Sequence, residues 1–191
     1  MTKLKIGIFG SAAGERSEAV SKAQELGTEL GRYADSVILV NGICGGIPLE
    51  VMQSAKRSSP IEIHGYSSCI CRKDQLSEFA SVDLSYYSRI QYMDKDSLYK
   101  NNDRVLKKYR NLLMVARCDA GIVVSGRWGT LNEFTCLVDM GKVIGILRGS
   151  GGVADQLPGL IPTVHKSTGA RIFIEDNPAL LVKNVLHALQ T

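Results

Sequence analysis

A chain of 191 residues is long enough for one well-packed domain and short for two, so a single domain over residues 1–191 is expected. Apolar residues make up 45% and charged residues 22%, the balance of a globular protein, and the apolar runs are strand-sized, so no membrane partner is expected. The net charge of +4 is scattered, with no basic stripe interleaved with aromatics. It suits a small anionic ligand and does not call for nucleic acid.

Met1 to Lys5 leads straight into a strand-like run without the zones of a secretory leader, so a cytoplasmic location is expected. The five cysteines, Cys44, Cys69, Cys71, Cys118 and Cys136, are odd in number and irregularly spaced. They read as buried reduced thiols, and no metal is expected.

In chain order, Lys5 to Phe9 is a β-branched run ending at Gly10-Ser11, a first strand. Glu15 to Tyr33 carries apolar residues at helical spacing, and Ser36 to Val40 is the next strand, stopped at Asn41-Gly42. The turn Gly42 to Gly46 opens a helix through Met52 and Ala55, and Pro60 to Tyr66 fits a third strand. Ser67 to Tyr87 has no clean period and reads as a lid or loop with a helical turn near Leu76 to Phe79. Arg89 to Met93 is a short strand. Asn101 to Arg117 is a helix whose apolar face comprises Val105, Leu106, Tyr109, Leu112, Leu113 and Ala116. Asp119 to Ser125 is a buried strand, and Thr130 to Met140 a helix closed by Gly141. Val143 to Leu147, Arg171 to Ile174 and the helix Pro178 to Leu189 complete the chain, with a glycine loop at 149–152 and a weak helix before Pro158. Alternating strands and helices predict an α/β fold, a doubly wound parallel sheet with helices on both faces. The strand order is not readable.

Three strands end in small or glycine-rich turns, each entering a helix. They are Gly10-Ser11, Gly42 to Gly46 with Gly45, and Ser125-Gly126-Arg127-Trp128-Gly129-Thr130. In a parallel sheet these ends share one edge, where amides and helix dipoles favour a phosphate. None is GxGxxG or GxxxxGK[ST], which disfavours a simple dinucleotide fingerprint or an ATP-hydrolysing loop.

Arg110-x-x-x-Met114 followed by Gly126, Gly129, Thr130 and Glu133 resembles the RKxxM…PGGxGTxxE pattern of the LONELY GUY (LOG) nucleotide phosphoribohydrolases, a Rossmann-like family. Arg110 and Glu133 stand 23 positions apart, as the family's catalytic Arg and Glu do. The Gly42–Gly46 turn resembles the family's other glycine motif, and molybdenum-cofactor carrier proteins are wider relatives of similar fold. Three positions depart from the pattern: Ser125 stands at the family's proline, Arg127 at its second glycine and Asn111 at its lysine. The resemblance implies cleavage of the N-glycosidic bond of a nucleoside 5′-monophosphate, with Arg110 and Glu133 catalytic and no cofactor. The shared edge and the resemblance together place Gly10, Ser11, Gly42, Gly45, Gly46, Ser125, Gly126, Arg127, Trp128, Gly129 and Thr130 around the nucleotide or other phosphorylated small molecule, with a simple turn the plainer reading of Ser11, and the resemblance implies a homodimer. The altered cradle leaves a non-catalytic carrier as the alternative.

Plainer readings stand beside these. Thr130 to Glu133 is also a capping box, in which Glu133 bonds back to the cap amide; capping and catalysis are equally open. Arg110 lies on a polar helix stripe, although its spacing to Glu133 favours function. Trp128 reads as a packed helix-start aromatic more readily than as a base-stacking platform. Asp103 and Lys107 form an i,i+4 pair, and Tyr86-Tyr87 favours loop-core packing over a lid. His64, His165 and His187 are scattered and read as structural or exposed.

Overall fold

A computed structural model describes residues 2–14, 16–164 and 166–191; Glu15, expected to open the first helix, and His165 lie outside the described residues. The strands are β1 (Leu4–Gly10), β2 (Val37–Gly42), β3 (Glu62–Tyr66), β4 (Arg89–Gln91), β5 (Ala120–Val124), β6 (Val143–Leu147) and β7 (Arg171–Glu175). The helices are α1 (Ser17–Gly31), α2 (Ile47–Ser58), α3 (Arg72–Glu78), α4 (Asp103–Ala116), α5 (Trp128–Asp139), α6 (Leu157–Leu160) and α7 (Pro178–Ala188). Every strand pair is parallel, in the order β4-β3-β2-β1-β5-β6-β7. The expected doubly wound α/β sheet is therefore what the chain forms. The order reverses at β1, which pairs with β2 on one side and β5 on the other, and leaves a crevice at their carboxyl ends.

Residue alternation along the central strands divides the interior into two layers. Ile6 and Ile8 of β1 join Leu39, Ile63 and Ile122 beneath α1, α2 and α7. Phe9 and Val40 face the opposite way and pack with Met114 and Val115 of α4 and Phe134 and Leu137 of α5. Each fully buried Ile, Leu or Phe contributes roughly 1.5–3 kcal/mol by leaving water.

Local chemistry explains the helix limits. Asn102 caps α4 by accepting from the Val105 amide at 3.2 Å, and Asn177 caps α7 by accepting from Leu180 at 3.0 Å, with Pro178 in its first turn. Gly141, at φ +65°, closes α5 as expected. The weak helix expected before Pro158 is a 3-10 turn over Gly152–Asp155, and Pro158 itself sits in the first turn of α6, where its missing N–H costs nothing.

Several expectations are corrected. The outward face of α4 is apolar: Tyr109, Leu112 and Leu113 are 44–46% exposed, while Leu106, Asn111, Met114 and Val115 face the sheet. The segment 67–87 is fastened and does not hang as a lid. Gln75 of α3 is wholly buried, accepts from Ser67 Oγ at 2.6 Å and donates to the Ile43 carbonyl at 3.2 Å. A single polar anchor in a seven-residue helix leaves no hydrophobic period to read. Tyr87 is buried in the core with Tyr86 packed against it, as the loop-core reading expected. Lys107 pairs with Glu78 at 2.9 Å and not with Asp103. Cys69 and Cys118 are buried free thiols, whereas Cys71 is exposed.

Candidate functional site

The carboxyl ends of β1, β2 and β5 open into a cleft of about 440 Å³. Gly10, Gly42, Arg110, Arg127, Gly129, Thr130 and Glu133 line it, together with Cys44 and three further α4 cations, Arg104, Lys107 and Lys108. Most residues singled out from the sequence thus meet in one place. Ser11, Gly45, Gly46, Ser125 and Gly126 stand behind the lining. Trp128 lies outside it, 83% exposed, and is not packed at the helix start.

The glycine turns fit against one another. Ile47 at the start of α2 donates to the Ser11 carbonyl at 2.9 Å, and a Cβ on Gly46, at φ +71°, would overlap that same oxygen. Gly42 has a different reason to be glycine: a Cβ there would overlap the Arg110 guanidinium, which lies flat on this backbone. Arg110 is held by its Nη1 donating to the Tyr66 carbonyl at 3.2 Å and its Nε donating to Asn111 Oδ1 at 3.0 Å. Asn111 in turn donates to Asn132 Oδ1 at 3.3 Å, linking α4 to α5. This amide relay occupies the position where the LOG pattern has lysine.

The 125–130 turn is braced by the segment that follows β6. Ser125 donates its amide to Ser150 Oγ at 2.8 Å, and the Ser125 and Gly126 carbonyls accept from Ala154 at 3.0 Å and Val153 at 2.8 Å. Ser125 sits at φ +52°. Proline, fixed near −65°, cannot adopt that angle, so the departure at this position is a change of backbone course as well as of side chain. Arg127 does not fill the turn. Its side chain reaches across the mouth and donates to the Ala13 carbonyl at 3.2 Å. Arg127 is also the N-cap of α5 and supplies no side-chain cap. The amides of Trp128, Gly129 and Thr130 then precede the first intrahelical donor, the Leu131 amide bonded to the Arg127 carbonyl at 2.9 Å, at the positive end of the helix dipole. A Cβ on Gly129 would meet nothing within 4 Å, so this amide faces open space.

Because α5 begins at Trp128, two residues earlier than expected, Glu133 lies in the second turn of the helix and cannot close a capping box with Thr130. That reading is excluded. Glu133 is 7% exposed on the cleft floor, and among the described residues it makes no hydrogen bond or ion pair, including with Arg110. Burial pushes its carboxyl up to about 7, with Arg110 and then Lys108 pulling the other way. Burial likewise raises the Cys44 thiol, so it is not an activated nucleophile. Among the described residues no cluster of His, Cys, Asp and Glu could hold a metal.

Sequence reading missed Asn132, Ser150 and Gln75 and saw Asn111 only as a departure from the family's lysine; their roles depend on contacts across 8 to 32 positions that no spacing rule reports. It also missed Asn41, buried near the end of β2, whose two amide atoms, like the hydroxyl of the expected Ser11, find no hydrogen-bond partner among the described residues. The asparagine after a buried strand run was a signal, read only as a stop.

With this geometry in view, the comparisons with known proteins can be placed. Residues 102–182 match the model of the SLOG cluster4 family. The matched stretch holds Arg110, the 125–130 turn and Glu133. Among solved structures, TM1055 superposes with a TM-score of 0.74 at 17% identity, covering 97% of this chain and 99% of that one. The molybdenum cofactor binding protein of Rippkaea orientalis gives 0.68 at 15% identity, covering 100% and 99%. DNA processing protein A of Helicobacter pylori, a single-stranded DNA binder, gives 0.63 at 16% identity, covering 98% and 82%. No curated protein matches the sequence. The expected resemblance to the LOG-like Rossmann group is borne out by the family model over residues 102–182 and by the fold, and the molybdenum-cofactor carriers, at this distance in sequence, share the fold alone.

Proposed function

We propose that the cleft binds a nucleoside 5′-monophosphate and hydrolyses its N-glycosidic bond, releasing the base and ribose 5-phosphate. The observation that carries this reading is Glu133: a buried, unpaired carboxyl on the floor of a cation-lined cleft, beside the free amides of a helix start. The phosphate would take the amides of Gly129 and Thr130 and the Thr130 hydroxyl, with Arg110 and Arg127 as charged partners. Cleavage builds positive charge on the ribose, and an ionised Glu133 beside C1′ would stabilise that charge or take a proton from the attacking water. Arg110, pinned by Tyr66 and Asn111, would arrive already oriented.

The test is base release from a panel of nucleoside monophosphates, with Glu133→Gln beside the wild type. Release that falls at least about 100-fold in the variant is expected, the usual share of a positioned acid or base. Release from neither protein refutes hydrolysis, and release equal in both refutes the role given to Glu133.

The carrier reading rests on the changed turn at Ser125 and Arg127. It predicts tight retention of a phosphorylated ligand without turnover, checked by native mass spectrometry. A small ligand is favoured over a nucleic-acid strand because the cations converge on one cleft of nucleotide size. The expected homodimer has a candidate seam in the exposed Tyr109, Leu112 and Leu113 of α4, tested by sedimentation of Leu112→Glu.

A further inference from the structure

The cleft carries more positive charge than one phosphate can match. Its lining holds five cations, Arg104, Lys107, Lys108, Arg110 and Arg127, and a single acid, Glu133. Lys107 is compensated from outside by Glu78, and the guanidiniums of Arg110 and Arg127 donate to neutral carbonyl or amide oxygens. Arg104 and Lys108 remain. Among the described residues they form no ion pair, although both are long side chains on an exposed surface where acidic partners are common. They stand four positions apart on α4, hence on one face, with their ends able to converge on one group.

Their place in the fold separates them from the phosphate seat. α4 precedes β5, so its amino-terminal half flanks the carboxyl edge of the sheet, and Arg104 lies in its first turn. From Arg104 to Arg110 the helix rises about 9 Å, at about 1.5 Å per residue, so Arg104 marks the outer limit of the lip and Lys108, on the Arg104 face, its inner side nearer Glu133. The α5 amides and Arg110 thus define one anion position, and Arg104 with Lys108 a second at the outer lip. A phosphate monoester carries up to about two negative charges near neutral pH. It leaves the lip uncompensated even after Glu133 ionises and Lys107 is assigned to Glu78.

We propose that the ligand of this cleft carries two phosphoryl groups, one at the α5 amino terminus and the other at the lip between Arg104 and Lys108. This rests on the nucleotide reading above and narrows it to the class of nucleoside diphosphates and bisphosphates. Both share the chemistry of two anionic phosphoryl groups a few ångströms apart, and they differ in where the second is attached.

Calorimetry with AMP, ADP and adenosine 3′,5′-bisphosphate at about 0.1 M salt tests the proposal and separates the two sources. At least one doubly phosphorylated nucleotide is expected to bind ten-fold or more tighter than AMP, and which one does so assigns the attachment. In Arg104→Ala/Lys108→Ala the ratio to AMP is expected to collapse to within about two-fold. Both side chains are exposed and unpaired, so the variant should fold, which its circular dichroism checks. AMP bound as tightly as both doubly phosphorylated nucleotides overturns the inference and leaves the nucleotide reading standing. A preference that persists in the double variant overturns the assignment to the lip. If none of the three binds, the phosphate seat itself is wrong and both proposals fall.

Discussion

Glu133→Gln should make the protein less sensitive to pH. In the folded chain the Glu133 carboxyl is raised from its ordinary 4.5 to about 7, chiefly because it is buried. Between these values the folded state holds a proton that the unfolded chain has released. Stability is therefore fully present below about pH 4.5 and declines as pH rises through 7. The difference between the two values corresponds to roughly 3 kcal/mol. Glutamine keeps the shape and does not titrate. The variant should thus gain roughly 3 kcal/mol relative to wild type between pH 4.5 and pH 8, or about 6–12 °C in Tm for a chain of this size. Urea unfolding followed by far-ultraviolet circular dichroism at the two pH values measures it. Fluorescence is a poorer probe because Trp128, the one tryptophan, is 83% exposed when folded. A stability gap between variant and wild type that stays constant within about 1 kcal/mol across this range would refute the assignment of a buried, neutral carboxyl. Base release by the wild type, if Glu133 must be ionised for it, should rise with pH through the same region.

Other substitutions probe the frame around that carboxyl. Gly42→Ala places a Cβ where the Arg110 guanidinium lies, so nucleotide affinity should fall about ten-fold. In an Arg110→Ala background the same change should cost far less, which a double-mutant cycle measures. Ser125→Pro restores the residue of the LOG pattern but cannot reach φ +52° and loses the amide bond to Ser150. It should destabilise by about 3 kcal/mol or more, seen as a lowered urea midpoint, and should not create activity. Gln75→Ala removes the link between α3 and the Ile43 carbonyl. A loss of about 2–3 kcal/mol is expected by thermal unfolding, with hydrogen exchange rising in residues 42–46.

The division between sequence and tertiary structure follows from the range of the interactions. Strand, turn and helix are local, so the β-branched runs, Pro178 in the first turn of α7 and the stop at Gly141 were legible from neighbouring residues. Parallel strands with crossover helices then put the glycine turns on one edge, and the convergence of Gly10, Gly42 and Gly129 needed no coordinates to expect. Strand order did not follow, because β1 can meet any strand of similar pattern and only packing selects β2 and β5. Nor did the side of α4 that faces the sheet. Its apolar residues lie on more than one side, and the buried Asn111 is polar because it holds Arg110 and Asn132. The same holds for Glu133: Thr-x-x-Glu is a capping box only if the helix starts at Thr130. The 150–154 loop braces the 125–126 turn and lets α5 begin at Trp128, which turns a surface cap into a buried carboxyl.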